Sequence, residues 1–202
     1  MMILRSAPAS PFARKVRIAI SLLGLGGKIE IRDADTTDPN EALRQQNPLG
    51  KIPVLLAEDG NAYYDSRVIL DYLDEHAGGG KIVPRDSRAR LDALRLQALC
   101  DGICDACLLI VYEGRYRPSD KRVETWVELQ AGKVERGLAV LEAAPPAIDA
   151  VPHVGQIALA CMLGYRDLRF NGAWRKDRPR LVAWLDRFAA QVPAFEQTRF
   201  TP

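Results

Sequence analysis

Several things are scarce in this sequence, and each shortage closes off a class of protein. Only two histidines occur in 202 residues, His76 and His153, far apart and without clustered partners, so no metal site is expected. No apolar run reaches a membrane span: the uncharged stretch from Pro152 to Tyr165 contains a His and a Gln and is too short. Neither sign of charge dominates. Residues 1–80 carry 9 Lys/Arg against 11 Asp/Glu, and residues 81–202 carry 19 against 15, too even a balance for a nucleic-acid-binding face. The cluster Arg14-Lys15-Arg17 therefore reads as a solvated helix face. The opening MMILRSAPAS lacks a basic leader followed by an apolar core, so no secretion signal is expected and the expected location is cytoplasmic.

Cysteine is absent from the first 99 residues. Cys100, Cys104, Cys107 and Cys161 all lie among apolar residues and, in a reducing compartment, should be free thiols packed as small core residues. Cys104 and Cys107 form a C-x-x-C, but in mid-helix surroundings. A redox pair needs a helix N-terminus that lowers the thiol pKa.

What is present reads as two units. Met2-Ile3-Leu4 suggests a first strand, and Ser10-Pro11 supplies an N-cap and a first-turn proline for a helix through Phe12, Val16, Ile20 and Leu23. Lys28 to Arg32 alternates as a strand. A short helix over Ala42, Leu43 and Gln46 precedes a strand at Ile52–Leu56, a turn at Glu58-Asp59-Gly60-Asn61, and a strand at Ala62-Tyr63-Tyr64. Asp65-Ser66 then opens a third helix. The order is β-α-β-α-β-β-α, with the first two strands parallel and the last two a hairpin. The predicted domains are 1–78 and an all-helical 87–202, joined by a linker at 79–86 that begins in the glycine run Gly78-Gly79-Gly80. In the second unit a long helix with a possible break near Gly102 is expected, then one capped by Ser119-Asp120 and ended by Pro145-Pro146, then helices around Ile157–Leu168 and from Pro179.

Within PLGKIPVLL (residues 48–56) a proline stands at the start of an apolar strand, although proline has no N–H to give a sheet. A small αβ domain of this order with a proline opening its third strand is the thioredoxin-like arrangement, in which that peptide is cis. A bend there would leave the N–H and C=O of Ile52 facing outward for an extended peptide.

Four stretches, in order, carry a resemblance to a known family. They are Ser10-Pro11-Phe12 with Arg14-Lys15-Val16-Arg17; Asn47-Pro48-Leu49-Gly50-Lys51-Ile52-Pro53-Val54-Leu55; Asp65-Ser66; and Pro179, Leu181, Trp184, Arg187, Pro193, Phe195 and Thr198. Together they resemble the glutathione transferase family along nearly the whole chain. The resemblance implies a thioredoxin-like glutathione-binding domain, a helical domain, a two-fold homodimer, and glutathione as co-substrate with no metal. The implied activity is conjugation of glutathione to small apolar electrophiles, with glutathione peroxidase activity as a companion. A non-catalytic binding or regulatory protein on the same fold is the alternative, since function lives in the site; a thiol-disulfide reductase would have to use Cys104-Cys107.

The implied glutathione-binding residues are Lys51, Ile52, Pro53, Asp65 and Ser66. Ser66, at a helix N-terminus, suits the γ-glutamyl carboxylate, Asp65 the ammonium beside it, and Lys51 the terminal carboxylate. Plain capping explains Asp65-Ser66 equally well, and the two roles are compatible. Ser10 is the candidate for holding the thiolate, or is only a cap; Ser6 is its reserve. Cys104, Ile110, Tyr112 and Tyr116 are expected to line the electrophile pocket, and Asp101 or Asp105 to reach the ligand's ammonium across the dimer. At the start of the buried helix, His153-Val154-Gly155-Gln156 lacks the family's capping hydroxyl: Gln156 can still reach back as in a capping box, but the hydroxyl's share of the cap is expected to be lost.

Overall fold

In the computed structural model, which describes residues 1–201, the chain opens with β1 (Met2–Ser6) and a turn into α1 (Pro11–Leu22). Ser10 starts that helix as the sequence predicts: its Oγ accepts the Ala13 N–H at 3.2 Å, and Pro11 sits where no N–H is needed. β2 (Ile29–Asp33) returns parallel to β1, with Met2 opposite Ile29. A short α2 (Leu43–Gln46) leads to β3 (Val54–Leu56), antiparallel to β1 with Leu4 opposite Leu55, and β4 (Ala62–Tyr63) completes a hairpin with β3. The sheet order is β2-β1-β3-β4, and α3 (Ser66–His76) follows. The predicted order of seven elements, its parallel pair and its hairpin are all present.

After α3, Gly78, Gly79 and Gly80 all adopt positive φ. This segment is pinned: the buried Asp74 carboxylate accepts the N–H groups of Gly80, Lys81 and Ile82 at 2.6, 3.0 and 2.8 Å. The helical half comprises α4 (Ser87–Tyr116), α5 (Glu124–Ala143), α6 (Val154–Phe170), α7 (Pro179–Gln191) and a short α8 (Pro193–Gln197). Three expectations are corrected. α4 is unbroken through Gly102, because one glycine costs a helix only about 1 kcal/mol against alanine and flanking Ile103 and Cys104 are buried in the core. Ser119-Asp120 caps nothing; residues Ser119–Lys121 form a single 3-10 turn, and α5 begins later, after Val123, whose N–H goes to Glu113 Oε1 at 3.0 Å. The cap of α6 is not lost: His153 Nδ1 accepts the Gly155 N–H at 3.1 Å and Gln156 Oε1 accepts the His153 N–H at 3.0 Å, so an imidazole does the work of a hydroxyl.

One apolar core runs through both halves, from Met2 and Leu4 through Val16, Ile69 and Leu73 to Leu159, Met162, Trp184 and Phe188. α6 lies at its centre. Its first turn meets α4 so closely that a Cβ on Gly155 would stand 2.6 Å from the Ala93 carbonyl oxygen, which leaves room only for glycine. The basic cluster on α1 is likewise not solvated. Arg14 and Lys15 are buried. Arg14 donates to Thr198 Oγ1 and to the Phe195 carbonyl and stacks on the Phe195 ring, while Arg17 reaches the Thr198 carbonyl at 3.1 Å. Among the described residues, no helix is long and apolar enough to cross a membrane.

Candidate functional site

The turn before β3 is built around Asn47, itself buried. Its Oδ1 accepts the Leu49 N–H at 3.0 Å, its carbonyl the Gly50 N–H at 2.8 Å, and its Nδ2 donates to the Lys51 carbonyl at 2.9 Å. Gly50 turns the chain at φ +61°, a conformation that glycine adopts at no steric cost. The Ile52–Pro53 peptide is cis, as the sequence implied. The loop thus satisfies its own polar groups on Asn47 and leaves out one residue: neither the N–H nor the C=O of Ile52 bonds to any described backbone group. Pro53 is buried behind it, and β3 pairs only from Val54 onward.

That unpaired main chain faces a cavity of about 540 Å³. Ser10, Lys51 and Ile52 all line it, together with Ala9, Phe12 and Thr36. The structure therefore brings together three of the six predicted site residues. Asp65 and Ser66 are not in the lining. They stand at the N-terminus of α3, where Asp65 Oδ1 accepts the Arg67 N–H at 2.9 Å and the N–H groups of Ser66 and Val68 find no backbone partner among the described residues. Ser6 is corrected: it is buried in β1, its hydroxyl has no partner, and it does not reach the cavity.

Two contacts the sequence did not reveal tie α3 to α1 through α4. Asp101 of α4 is buried, with Oδ1 on Lys15 Nζ at 2.5 Å and Oδ2 on Arg67 Nε at 3.0 Å. Both carboxylate oxygens are thus engaged inside the subunit, on Lys15 and on Arg67. The signal in the sequence was a lysine on an apolar helix face, beside Ala13 and Val16. Asp105, one turn along α4, lines the cavity, and burial together with the Asp101 charge raises its pKa from the ordinary carboxylate value.

The helical wall differs from the predicted one. Tyr112 lines it as expected, with Leu108 and Leu109 of α4, while Cys104 faces the core and neither Ile110 nor Tyr116 takes part. Cys104, Ile110 and Tyr116 each stand one residue from a lining residue, Asp105, Leu109 and Arg115, enough on a helix to turn a side chain off the wall. All four cysteines are free and buried, as predicted. Burial pushes the Cys161 thiol up to about 11 and raises those of Cys100, Cys104 and Cys107, the opposite of what thiol chemistry requires.

A sheet of this order, open at its cis-proline turn and packed against an all-helical unit, defines a class: a thioredoxin-like domain joined to a helical domain. Residues 4–81 match the glutathione S-transferase N-terminal domain and residues 124–187 the C-terminal domain. The chain belongs to the glutathione S-transferase family. It is 36% identical over 178 residues to the uncharacterized GST-like protein YibF of Escherichia coli (strain K12), covering 86% of each chain. A glutathione transferase family member from Pseudomonas fluorescens Pf-5, solved with bound glutathione, superposes over the full length of both chains with a TM-score of 0.91 and 41% identity. A glutathione S-transferase from Methylobacillus flagellatus KT, also with glutathione bound, gives a TM-score of 0.92 at 33% identity, again over both full lengths.

Proposed function

We propose that this protein is an enzyme that binds glutathione along Ile52 and transfers it to small electrophiles. The observation that carries the reading is the unpaired main chain of Ile52 opening on the cavity that Ser10 also lines. An extended tripeptide pairs with the Ile52 N–H and C=O as an added strand would. Lys51 takes the terminal carboxylate. At the start of α3 the unpartnered N–H groups of Ser66 and Val68, with the helix dipole, take the γ-glutamyl carboxylate, and the second oxygen of Asp65 takes the neighbouring ammonium. The Pseudomonas and Methylobacillus relatives with bound glutathione support the choice of tripeptide.

Chemistry is assigned to Ser10. Its oxygen accepts the Ala13 N–H, which leaves its own O–H to donate to sulfur, and the Phe12 N–H beside it has no backbone partner among the described residues. A free thiol titrates near 8.5, so donors at a helix N-terminus are what raise the thiolate fraction at neutral pH. The thiol proton leaves to solvent and the thiolate attacks the electrophilic carbon, displacing its leaving group. Attack on a hydroperoxide oxygen, completed by a second glutathione to give the disulfide, alcohol and water, is the companion activity. The protein acts as a homodimer in the cytoplasm. Exposed Tyr64, Val68 and Leu91, on either side of the Arg90–Asp71 bridge between α3 and α4, offer an apolar patch for such pairing, and the four unpaired thiols suit a reducing compartment.

The test is retention on immobilised glutathione. Asp65→Asn keeps an oxygen for the Arg67 N–H but loses the charge, and is expected to pass through a column that holds the wild type, with an unchanged melting temperature. Wild-type retention by that variant would reject the assigned site.

A further inference from the structure

The helical wall of the cavity ends in positive charge. Along α4 the lining residues include Asp105, Leu108, Tyr112 and Arg115, and along α6 Tyr165 and Arg169. The two helices run side by side in the same direction: Gly155 lies against Ala93, and Arg166 reaches the Cys107 sulfur at 3.9 Å. Arg169, about one turn past Arg166, comes level with Ile110 of α4, roughly 7.5 Å of helix short of Arg115, and both arginines line the cavity. Ten residues separate Arg115 from Asp105, or about 15 Å of helix. Both arginines therefore stand beyond Asp105 along the helices, the one carboxylate among the described lining residues, with Arg115 the farther of the two.

Neither arginine is neutralised. No described carboxylate forms an ion pair with Arg115 or Arg169, whereas the nearby Arg117 and Arg175 are held by Glu113 and Asp167. Arg169 Nε is buried without a partner, and its guanidinium lies 6.0 Å from the Tyr165 ring centroid; Arg115 lies 5.5 Å from that of Tyr112. Tyr165 is buried, and desolvation raises its pKa to about 12, so its phenol stays protonated and adds a third donor. A buried donor without an acceptor is costly, and a guanidinium pair over apolar walls matches a carboxylate on an apolar body.

We propose that the acceptor half of the cavity selects electrophiles carrying a carboxylate, held by Arg115 and Arg169 above Leu108 and Tyr112. The inference rests on the glutathione reading, which uses Lys51 for glutathione's own carboxylate and so leaves these two arginines to the second substrate. With an aryl chloride, the thiolate forms the C–S bond, the C–Cl bond breaks and chloride leaves with the electron pair. The ring carboxylate takes no part in bond making.

The experiment compares 4-chloro-3-nitrobenzoate with its neutral analogue 4-chloro-3-nitrobenzamide, each kcat/KM divided by the uncatalysed rate constant with glutathione. The expected ratio favours the benzoate by on the order of 10- to 100-fold, the range of a charge-assisted hydrogen bond. Arg115→Met and Arg169→Met should each lower that ratio about tenfold, and Arg169→Lys should keep part of it. A wild-type ratio near one, or a ratio untouched by both Met variants, overturns the proposal. Calorimetry with the two S-aryl glutathione conjugates gives an answer without turnover. Tighter binding of the carboxylated conjugate supports the proposal, and equal binding of both overturns it while leaving the glutathione site standing. Failure of both to bind rejects the glutathione reading, and this inference with it.

Discussion

In the proposed reaction one Ser10 oxygen serves two ends of a hydrogen-bond chain. As acceptor it satisfies the Ala13 N–H at 3.2 Å; as donor it faces the cavity. Truncation to alanine removes both, and the two losses register in different measurements. The cap is worth about 1 kcal/mol of stability. A donor to a thiolate is worth about 1.5–3 kcal/mol, so Ser10→Ala should lower kcat on the order of 10- to 100-fold while glutathione affinity changes little. Ultraviolet titration of the bound thiol should place its pKa roughly one unit higher in the variant. A variant that loses stability but keeps its turnover would make Ser10 a cap and nothing more. At this scale the sequence was readable where placement is local: Ser10, Ile52 and Lys51 were marked by neighbours within a few positions and line one cavity. It misled where partners are remote. Lys15 meets Asp101 from 86 positions away and Arg14 meets Thr198 from 184, and no spacing rule connects residues so far apart.

At the scale of elements, composition predicted where helices lie better than how they end. Apolar periodicity located α1, α3, α6 and α7, because each buries one stripe or more against a common core. Ends depend on one or two hydrogen bonds, which unlike residues can supply: Glu113 rather than Ser119 satisfies the amide before α5, and His153 replaces a hydroxyl at α6. The histidine cap has a consequence that serine would lack. Nδ1 accepts only while the ring is neutral, and burial lowers the His153 pKa below 6.5 despite the opposing pull of Asp149. The folded state thus binds fewer protons here than the unfolded chain. Its contribution is full above about pH 6.5, the unfolded value, and is lost as pH falls through the folded pKa. The urea midpoint of the wild type should therefore drop relative to His153→Ser as pH falls from neutral toward 5. Parallel pH profiles for the two proteins would show that the ring does not accept the Gly155 N–H in solution.

For the whole molecule, the division into two units seen in the sequence is real in topology but not in packing. Met2 and Leu4 of the sheet share a core with Leu159 and Met162 of the helical half, so unfolding should be a single transition. Across that shared core runs the ion pair between Lys15 of α1 and Asp101 of α4, both nearly inaccessible to water, with half-exposed Arg67 on the other carboxylate oxygen. Removing one member of a buried pair strands the other, at a cost of about 3–5 kcal/mol. Lys15→Met, similar in length and without charge, should lower the unfolding free energy by that amount, since Arg67 alone then faces Asp101 from the water side. Replacing Asp101 by leucine in the same chain removes the stranded charge and frees only a guanidinium that water can already reach. The double variant should therefore recover most of the loss, because apolar replacement of a buried pair is often neutral or favourable. Losses that simply add, measured by urea unfolding across the four proteins of the cycle, would mean that the two side chains are not coupled and that the halves are held together by apolar contact alone.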